Sequence, residues 1–449
     1  MAALHFSQAL LPDGWAGSVR IRIDGGRIAA IETGVAPGPE DERHATALPG
    51  LPNLHSHAFQ RLMAGLAERR LGPDGDDFWS WRELMYRIVG GITPDQMAAI
   101  AAMAFMEMLE GGFTRVGEFH YLHHQPDGQP FDDAAEMAAA LAGAAQETGI
   151  ALTLLPVFYA HAGFGGQPPQ AGQRRFISDL DGFARLLEAS GRALAPLSDA
   201  VLGIAPHSLR AVTPEELTGL VALAPQGPVH IHIAEQVKEV RDCLDWSGQR
   251  PVEWLLDHQP VDARWCLVHA THMTEAETAQ LAASGAVAGL CPITEANLGD
   301  GIFPAADFVV AGGRFGVGSD SNVRIDGAEE LRLLEYGQRL IRRQRNVLAA
   351  PDRSSGRFLL EAALAGGGQA LGEAPALTIG GRADLVALAP DPLGVGDLAL
   401  DRWIFGNGRV ESVWRGGRRV DRAVSSLAET FAGWGLGEDA VVGPDSTLK

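Results

Sequence analysis

Two histidines one residue apart, His55 and His57, close the stretch Leu51-Pro52-Asn53-Leu54-His55-Ser56-His57. In an extended chain alternate residues face the same side, so both imidazoles can converge on one point. Imidazole is the commonest protein ligand for a divalent transition metal at neutral pH, which makes the pair half of a metal site. Candidates for the other half follow later in the chain: His230-Ile231-His232-Ile233-Ala234-Glu235, the lone His269, and Gly318-Ser319-Asp320. Each lies at the end of a short apolar run. His230 and His232 again share a face, and spacing alone does not choose between them.

The elements that would hold these groups alternate. Strand candidates are Leu51 onward, Thr114–Phe119, Ile150–Leu155, Val201–Ala205, Val229–Ile233, Trp265–Val268, Ala286–Leu290 and Phe315–Val317, mostly with helices between. Helix starts are marked by Thr93-Pro94, Thr213-Pro214-Glu215-Glu216 and Thr274-Glu275, and another helical stretch runs from about Asp132 to Glu147. Repeated βα units imply a parallel sheet, and eight of them predict an α/β chain with a (β/α)8 TIM barrel. An open doubly wound sheet is the alternative, but no G-x-G-x-x-G follows a strand. In a barrel, functional groups sit at the C-terminal strand ends, and the histidines and Asp320 fall there.

Both ends of the chain read as β. Val19–Ile23 and Arg27–Ile31 flank Asp24-Gly25-Gly26, a hairpin turn, and Arg382–Leu388 and Val410–Val420 mirror them near the other end. The expected division is residues 1–48 and 376–449 for a small composite β-sandwich, and 49–375 for the barrel.

Composition narrows the partners. A net charge of −20 over 449 residues argues against nucleic acid or an anionic membrane, since phosphate binding needs a basic face. Cys243, Cys266 and Cys291 are far apart, so they imply neither a disulfide framework nor a zinc knuckle. No basic n-region followed by an apolar run opens the chain, and the most apolar helical run, Ala98–Leu109, carries Glu107 and is too short to cross a bilayer. A cytoplasmic protein, assembled as a homodimer, is the expectation. Lysine occurs only at Lys238 and Lys449, so nearly all positive charge is arginine.

The order H-x-H, H-x-H-x-x-E, lone His and Gly-Ser-Asp resembles the amidohydrolase superfamily in its deaminase and chlorohydrolase branch. The resemblance covers roughly residues 1 to 420 and includes Ile379–Val386, which looks like that superfamily's β-sandwich. More narrowly, His57–Arg61, Glu118–His124 and Cys291–Gly301 resemble the members that convert N-formimino-L-glutamate and water into N-formyl-L-glutamate and ammonia. By this resemblance His55, His57, His232 and Asp320 would bind one divalent metal, most suitably Zn²⁺, which lowers the pKa of bound water toward ~7. Lys238 and Lys449 are both misplaced for a carboxylated lysine that would bridge a second metal. Glu235 would pass a proton to the departing nitrogen, Asp320 would accept the proton of the water, and His269 would hydrogen-bond the reacting centre.

A dicarboxylate substrate needs fixed cationic donors, and arginine supplies them with bidentate geometry. Arg82, in a loop Trp79-Ser80-Trp81-Arg82, and Arg210 are the candidates, with His207, Tyr121 and Gln60 as further donors. Trp79 and Trp81 are expected to pack a lid or a subunit contact. His120, His123 and His124 read as residues outside the metal shell, the last two facing solvent. His272 reads as a polar cap of the following helix, and the tail from Arg422 to Lys449 as a segment docked on the barrel or a partner subunit. The competing activity is another deaminase or chlorohydrolase acting on a nucleobase or triazine, which would line its site with aromatic and amide groups instead of two arginines. A non-catalytic relative should have lost ligands, and none is lost.

Overall fold

The computed structural model describes residues 2–68 and 76–420. The tail from Arg422 onward and Lys449 therefore lie outside the described residues. The amino-terminal segment forms β1 (Ala2–Leu11), β2 (Gly14–Asp24), β3 (Arg27–Glu32) and β4 (Glu42–Pro49). Asp24 pairs with Arg27 across Gly25 and Gly26, both at positive φ, as the hairpin reading requires.

The barrel follows as β5 (Leu51–Ser56), β6 (Phe113–His120), β7 (Ala151–Phe158), β8 (Val201–Leu202), β9 (Ala205–Pro206), β10 (Val229–Ile233), β11 (Trp265–His269), β12 (Val287–Leu290) and β13 (Arg314–Val317). All pairings among them are parallel. The predicted strand Val201–Ala205 is split: β8 and β9 both pair with β7 and share the fourth place. Two arcs, β5-β6-β7-β8 and β10-β11-β12-β13, close into a ring through the bridges Ile204↔Val229 and Ser208↔His232 on one side and Ser56↔Asp320 on the other. Strands covered on both faces by core and helices carry continuous apolar runs; β5, β6, β7 and β10 to β12 are buried along their whole length.

The chain then returns to the first sheet with β14 (Leu385–Leu388), β15 (Val410–Arg415) and β16 (Arg418–Arg419). The order β16-β15-β14-β4-β1-β2-β3 joins both ends of the chain in the composite β-sandwich, around a separate core including Phe6, Ile21, Leu385 and Trp414. The strand expected from Arg382 begins only at Leu385, because Gly380 and Gly381 are engaged in a turn bonded to Ile28.

Thr93, Thr213 and Thr274 each cap a helix through a hydrogen bond from the N3 backbone, as the capping boxes predict. The helix expected from Asp132 starts at Glu136, since Asp133 accepts from Ala135 N in a preceding turn. Trp79-Ser80-Trp81-Arg82 is not a loop. It lies in the helix Phe78–Val89, capped by Asp77, whose carboxylate accepts from Trp79 N and Ser80 N. No glycine or proline interrupts that run, so the cap suffices to start it.

The helix Ser355–Leu371 closes the N-terminal end of the barrel. Its Gly366 packs where any Cβ would collide with the Phe315 carbonyl, so glycine's helix penalty of about 1 kcal/mol is outweighed by close approach. At that same end Asp199, before β8, gathers arginines from three places: Arg415 Nη2 at 2.6 Å, Arg382 Nε at 3.0 Å, and Arg115 Nη2, which donates to its carbonyl at 3.0 Å. Arg115 and Arg415 are buried; Glu373 also pairs with Arg115 and Asp384 with Arg415, so removing the Asp199 carboxylate takes away one of several counter-charges between barrel and sandwich. Asp199→Ala is expected to destabilise the fold by about 2 kcal/mol, read as a lowered urea midpoint. Activity of the folded fraction should persist, because the opposite end of the barrel carries the chemistry.

Candidate metal centre and substrate cleft

His55 and His57 at the end of β5, His232 in β10 and Asp320 just after β13 meet at the C-terminal mouth of the barrel. Their four prospective ligand atoms lie within 4.8 Å of one another, and all four residues are buried. His232 Nε2 is 3.0 Å from His55 Nε2, and Asp320 Oδ1 is 3.4 Å from His55 Nε2 and 3.3 Å from His57 Nε2. His57 Nδ1 sits 2.8 Å from the Phe119 carbonyl and His232 Nδ1 3.1 Å from the His207 carbonyl. A carbonyl only accepts, so both Nδ1 atoms carry the proton and both Nε2 atoms present lone pairs inward. Burial pushes His55 down to about 3 and lowers His57 and His232 too, which favours the neutral imidazole that ligates metals. Lone pairs and a carboxylate facing one point, with imidazoles oriented by backbone carbonyls, fit a divalent cation.

His230 does not join them. It lies one layer deeper in the barrel, with Nε2 2.8 Å from the Ala370 carbonyl of the closing helix. Lys238 is on the helix Val237–Ser247, where its ammonium pairs with Asp242 at 2.5 Å on the exposed face.

Next to the cluster, His269 Nε2 stands 3.8 Å from both Glu235 Oε1 and Asp320 Oδ2. The two oxygens of Asp320 are thus divided, Oδ1 toward the histidines and Oδ2 toward His269. Burial alone would lower the His269 pKa; Glu235, Glu295 and Asp320 outweigh it and hold the ring toward its protonated form. Burial raises the Glu235 carboxyl, which favours a proton on it near neutrality. His269 and Asp320 adopt positive φ, +67° and +44°, a strained setting of roughly 1–3 kcal/mol each that aims both side chains into the mouth. Glu295, inside the quoted Cys291–Gly301 motif but given no role by sequence reasoning, is 3.2 Å from His269 Nδ1 and also accepts from Cys291 N at 2.9 Å.

The cleft above is lined by Gln60, Arg82, Tyr121, His207, Arg210, His232, Glu235, His269 and Asp320 among others. All five residues expected to contact substrate are therefore in one place. Gln60 Nε2 donates to Tyr121 Oη at 2.9 Å, which leaves Gln60 Oε1 buried without a partner. The Nε atoms of Arg82 and Arg210 are likewise buried and unpartnered, and neither guanidinium makes an ion pair among the described residues. Tyr86, Tyr159, Phe176 and Trp81 build the walls. Sequence reasoning assigned none of them to the cleft, and only the Trp-x-Trp-Arg run hinted at one.

Two expectations fail. His123 and His124 do not face solvent: the loop folds over Arg175, and their Nε2 atoms meet the carbonyls of Val157 and Ile177 at 2.8 Å. His272 does not cap the next helix. Thr274 does, while the His272 carbonyl accepts from Arg250 at 2.5 Å.

The profile described as "Amidohydrolase family" matches residues 46–420, and that described as "Formimidoylglutamate deiminase HutF, N-terminal domain" matches residues 1–45. A formimidoylglutamate deiminase of Pseudomonas aeruginosa is 52% identical over 434 residues, covering 94% of this chain and 95% of that protein. An amidohydrolase from Brucella melitensis, known as a crystal structure, shares 57% identity with a TM-score of 0.92, covering 96% of this chain and 97% of that one. An adenosine deaminase from Xanthomonas campestris with bound zinc shares the fold at 24% identity, with a TM-score of 0.79 and 96% of each chain covered. A profile spanning the barrel and a relative more than half identical over nearly the whole length establish that the chain belongs to the amidohydrolase family.

Proposed function

We propose that this enzyme hydrolyses N-formimino-L-glutamate to N-formyl-L-glutamate and ammonia, a step of histidine degradation. The observation that carries the reading is the pair Arg82 and Arg210. Two guanidiniums, one buried and one half-buried, make no ion pair among the described residues and line the same cleft as the histidine cluster. A buried guanidinium with no carboxylate in contact is costly, and a substrate with two carboxylates supplies both contacts at once. The aromatic walls would also suit a planar nucleobase or triazine, but those ligands leave both arginines uncompensated.

In this reading His55, His57, His232 and Asp320 hold one divalent ion, Zn²⁺ by ligand type. That ion supplies Lewis-acid activation of water at neutral pH. The remaining work falls to the chain's own groups. Asp320 Oδ2 faces His269 rather than His55, His57 and His232, and is placed to take a proton from the attacking water. His269, held by Glu295, presents Nε2 to the developing tetrahedral carbon's substituents. Glu235, whose carboxyl burial raises to about 7, delivers a proton to the nitrogen that leaves as ammonia. Gln60, Tyr121 and His207 fix the orientation of the formimino end, and the arginines hold the glutamate carboxylates.

Ammonia release should occur with N-formimino-L-glutamate and not with adenine, guanine or cytosine derivatives. Activity on a base and none on formiminoglutamate would overturn the assignment. Arg82→Met and Arg210→Met should each lower kcat/KM about a hundredfold while bound metal stays unchanged; unaltered kinetics in both would remove them from the carboxylate site.

The ligand set has its own check, metal content by elemental analysis. Wild type and His230→Gln should hold about one ion per chain, whereas His232→Ala should fall well below that. Loss of metal from the His230 variant with retention in the His232 variant would reverse the choice between them.

A further inference from the structure

Trp79 does not line the cleft; it stands behind two residues that do. The Arg82 guanidinium carbon lies 4.6 Å from the centroid of its ring, and that of Arg210 lies 5.7 Å away. A third cation, Lys238 Nζ, is 5.5 Å from the same centroid. The three come from different parts of the mouth. Arg82 is one turn along the capping helix Phe78–Val89, Arg210 follows β9, and Lys238 opens the helix after β10.

Positive groups gathered this closely repel one another, and the repulsion is strongest where water is scarce. Lys238 pairs directly with Asp242, whereas neither Arg82 nor Arg210 makes an ion pair among the described residues; Glu239 and Glu235 act on Arg210 only from beyond ion-pair distance. The π face of an indole is the most favourable aromatic surface for a cation, and the preference is greater for partly desolvated groups. Trp79 is held for this task from its own side. Its backbone N–H donates to the Asp77 cap at 2.9 Å, and its ring meets Phe78 edge-on with centroids 5.1 Å apart.

We infer that Trp79 is a positioning residue that assembles the Arg82 and Arg210 guanidiniums into one dianion receptor before substrate arrives. This rests on the dicarboxylate reading above. Because Trp79 touches neither reacting atoms nor the metal ligands, its contribution belongs to binding. It also ties the capping helix to the barrel loops, so the order of that helix and the spacing of the two arginines are one property.

The test compares Trp79→Leu, which keeps bulk but removes the π face, with Trp79→Phe, which keeps a ring. Glutarate, an unreactive dicarboxylate, is titrated calorimetrically into wild type and both variants, and KM and kcat are measured separately on N-formimino-L-glutamate. Trp79→Leu should weaken glutarate and raise KM about tenfold with kcat within about twofold, and Trp79→Phe should recover most of the loss. Metal content and thermal midpoint should match wild type. Unchanged glutarate affinity in Trp79→Leu would overturn the inference, and so would a Trp79→Phe variant as impaired as the leucine variant. A parallel collapse of kcat, metal content and midpoint would also overturn it, since that marks a structural role. A wild type that binds glutarate but does not hydrolyse formiminoglutamate would sink the proposed reaction and leave the receptor standing.

Discussion

Three imidazole nitrogens and a carboxylate oxygen facing one another in a buried mouth repel unless something positive lies between them. The fold concentrates its constraints there. The barrel closes between β5 and β13, where Asp320 N donates to the His55 carbonyl and His57 N to the Asp320 carbonyl, both at 2.9 Å. Asn53 bonds Ser319 at both ends of its amide, Ser319 Oγ donates to Asn322, and Asn322 donates onward to Ser56 Oγ and the His57 carbonyl. Gly318 is required because a Cβ would stand 2.7 Å from the His55 backbone. The seam that completes the ring is therefore also what holds the ligands in convergence.

From this centre outward, the groups pass from strand ends to a helix and loops. Groups assigned to chemistry leave strand ends whose backbone is bonded on both sides, and positive φ at His269 and Asp320 shows the strands fixing direction as well as place. Groups assigned to recognition come from a capping helix and from loops. Arg82 and Arg210 make no ion pair among the described residues; both lie by the Trp79 ring, and Arg82 by that of Tyr86 as well. Glu295 stands between the two sets, orienting a ring of the first from a short helix after β12.

What was legible in the sequence follows the same gradient. Strand-borne groups could be read because their pattern is local: H-x-H on a strand points both rings one way, and βα alternation orders the strand ends around a mouth. The same rule could not separate His230 from His232. Two residues on one face of a strand lie in different layers of a barrel, and only the helix Ser355–Leu371 beneath shows that His230 is spent on the Ala370 carbonyl. Trp79 to Arg82 read as a loop because the aromatic run masked a plain Asp cap. His123 and His124 were misjudged because their burial depends on Arg175, whose guanidinium reaches the Val89 and Ile92 carbonyls from a distant segment. Long-range packing of that kind leaves no periodic trace.

The charge of the whole molecule sharpens the meaning of the two arginines. At −20 the chain presents a field that disfavours a dianion at long range, although physiological salt damps it over a Debye length of roughly 8 Å. Attraction must then be generated at contact, inside the cleft, where low dielectric strengthens it. Guanidinium suits that role better than ammonium, being less strongly hydrated and able to stack on an indole while its fork faces a carboxylate. A neutral ligand entering the same cleft would bury both charges further without compensating either, which rejects it more strongly than missing contacts alone would. In the proposed reading, discrimination comes from guanidiniums that have no carboxylate in contact in the free enzyme, a state eased by the aromatic faces beside them.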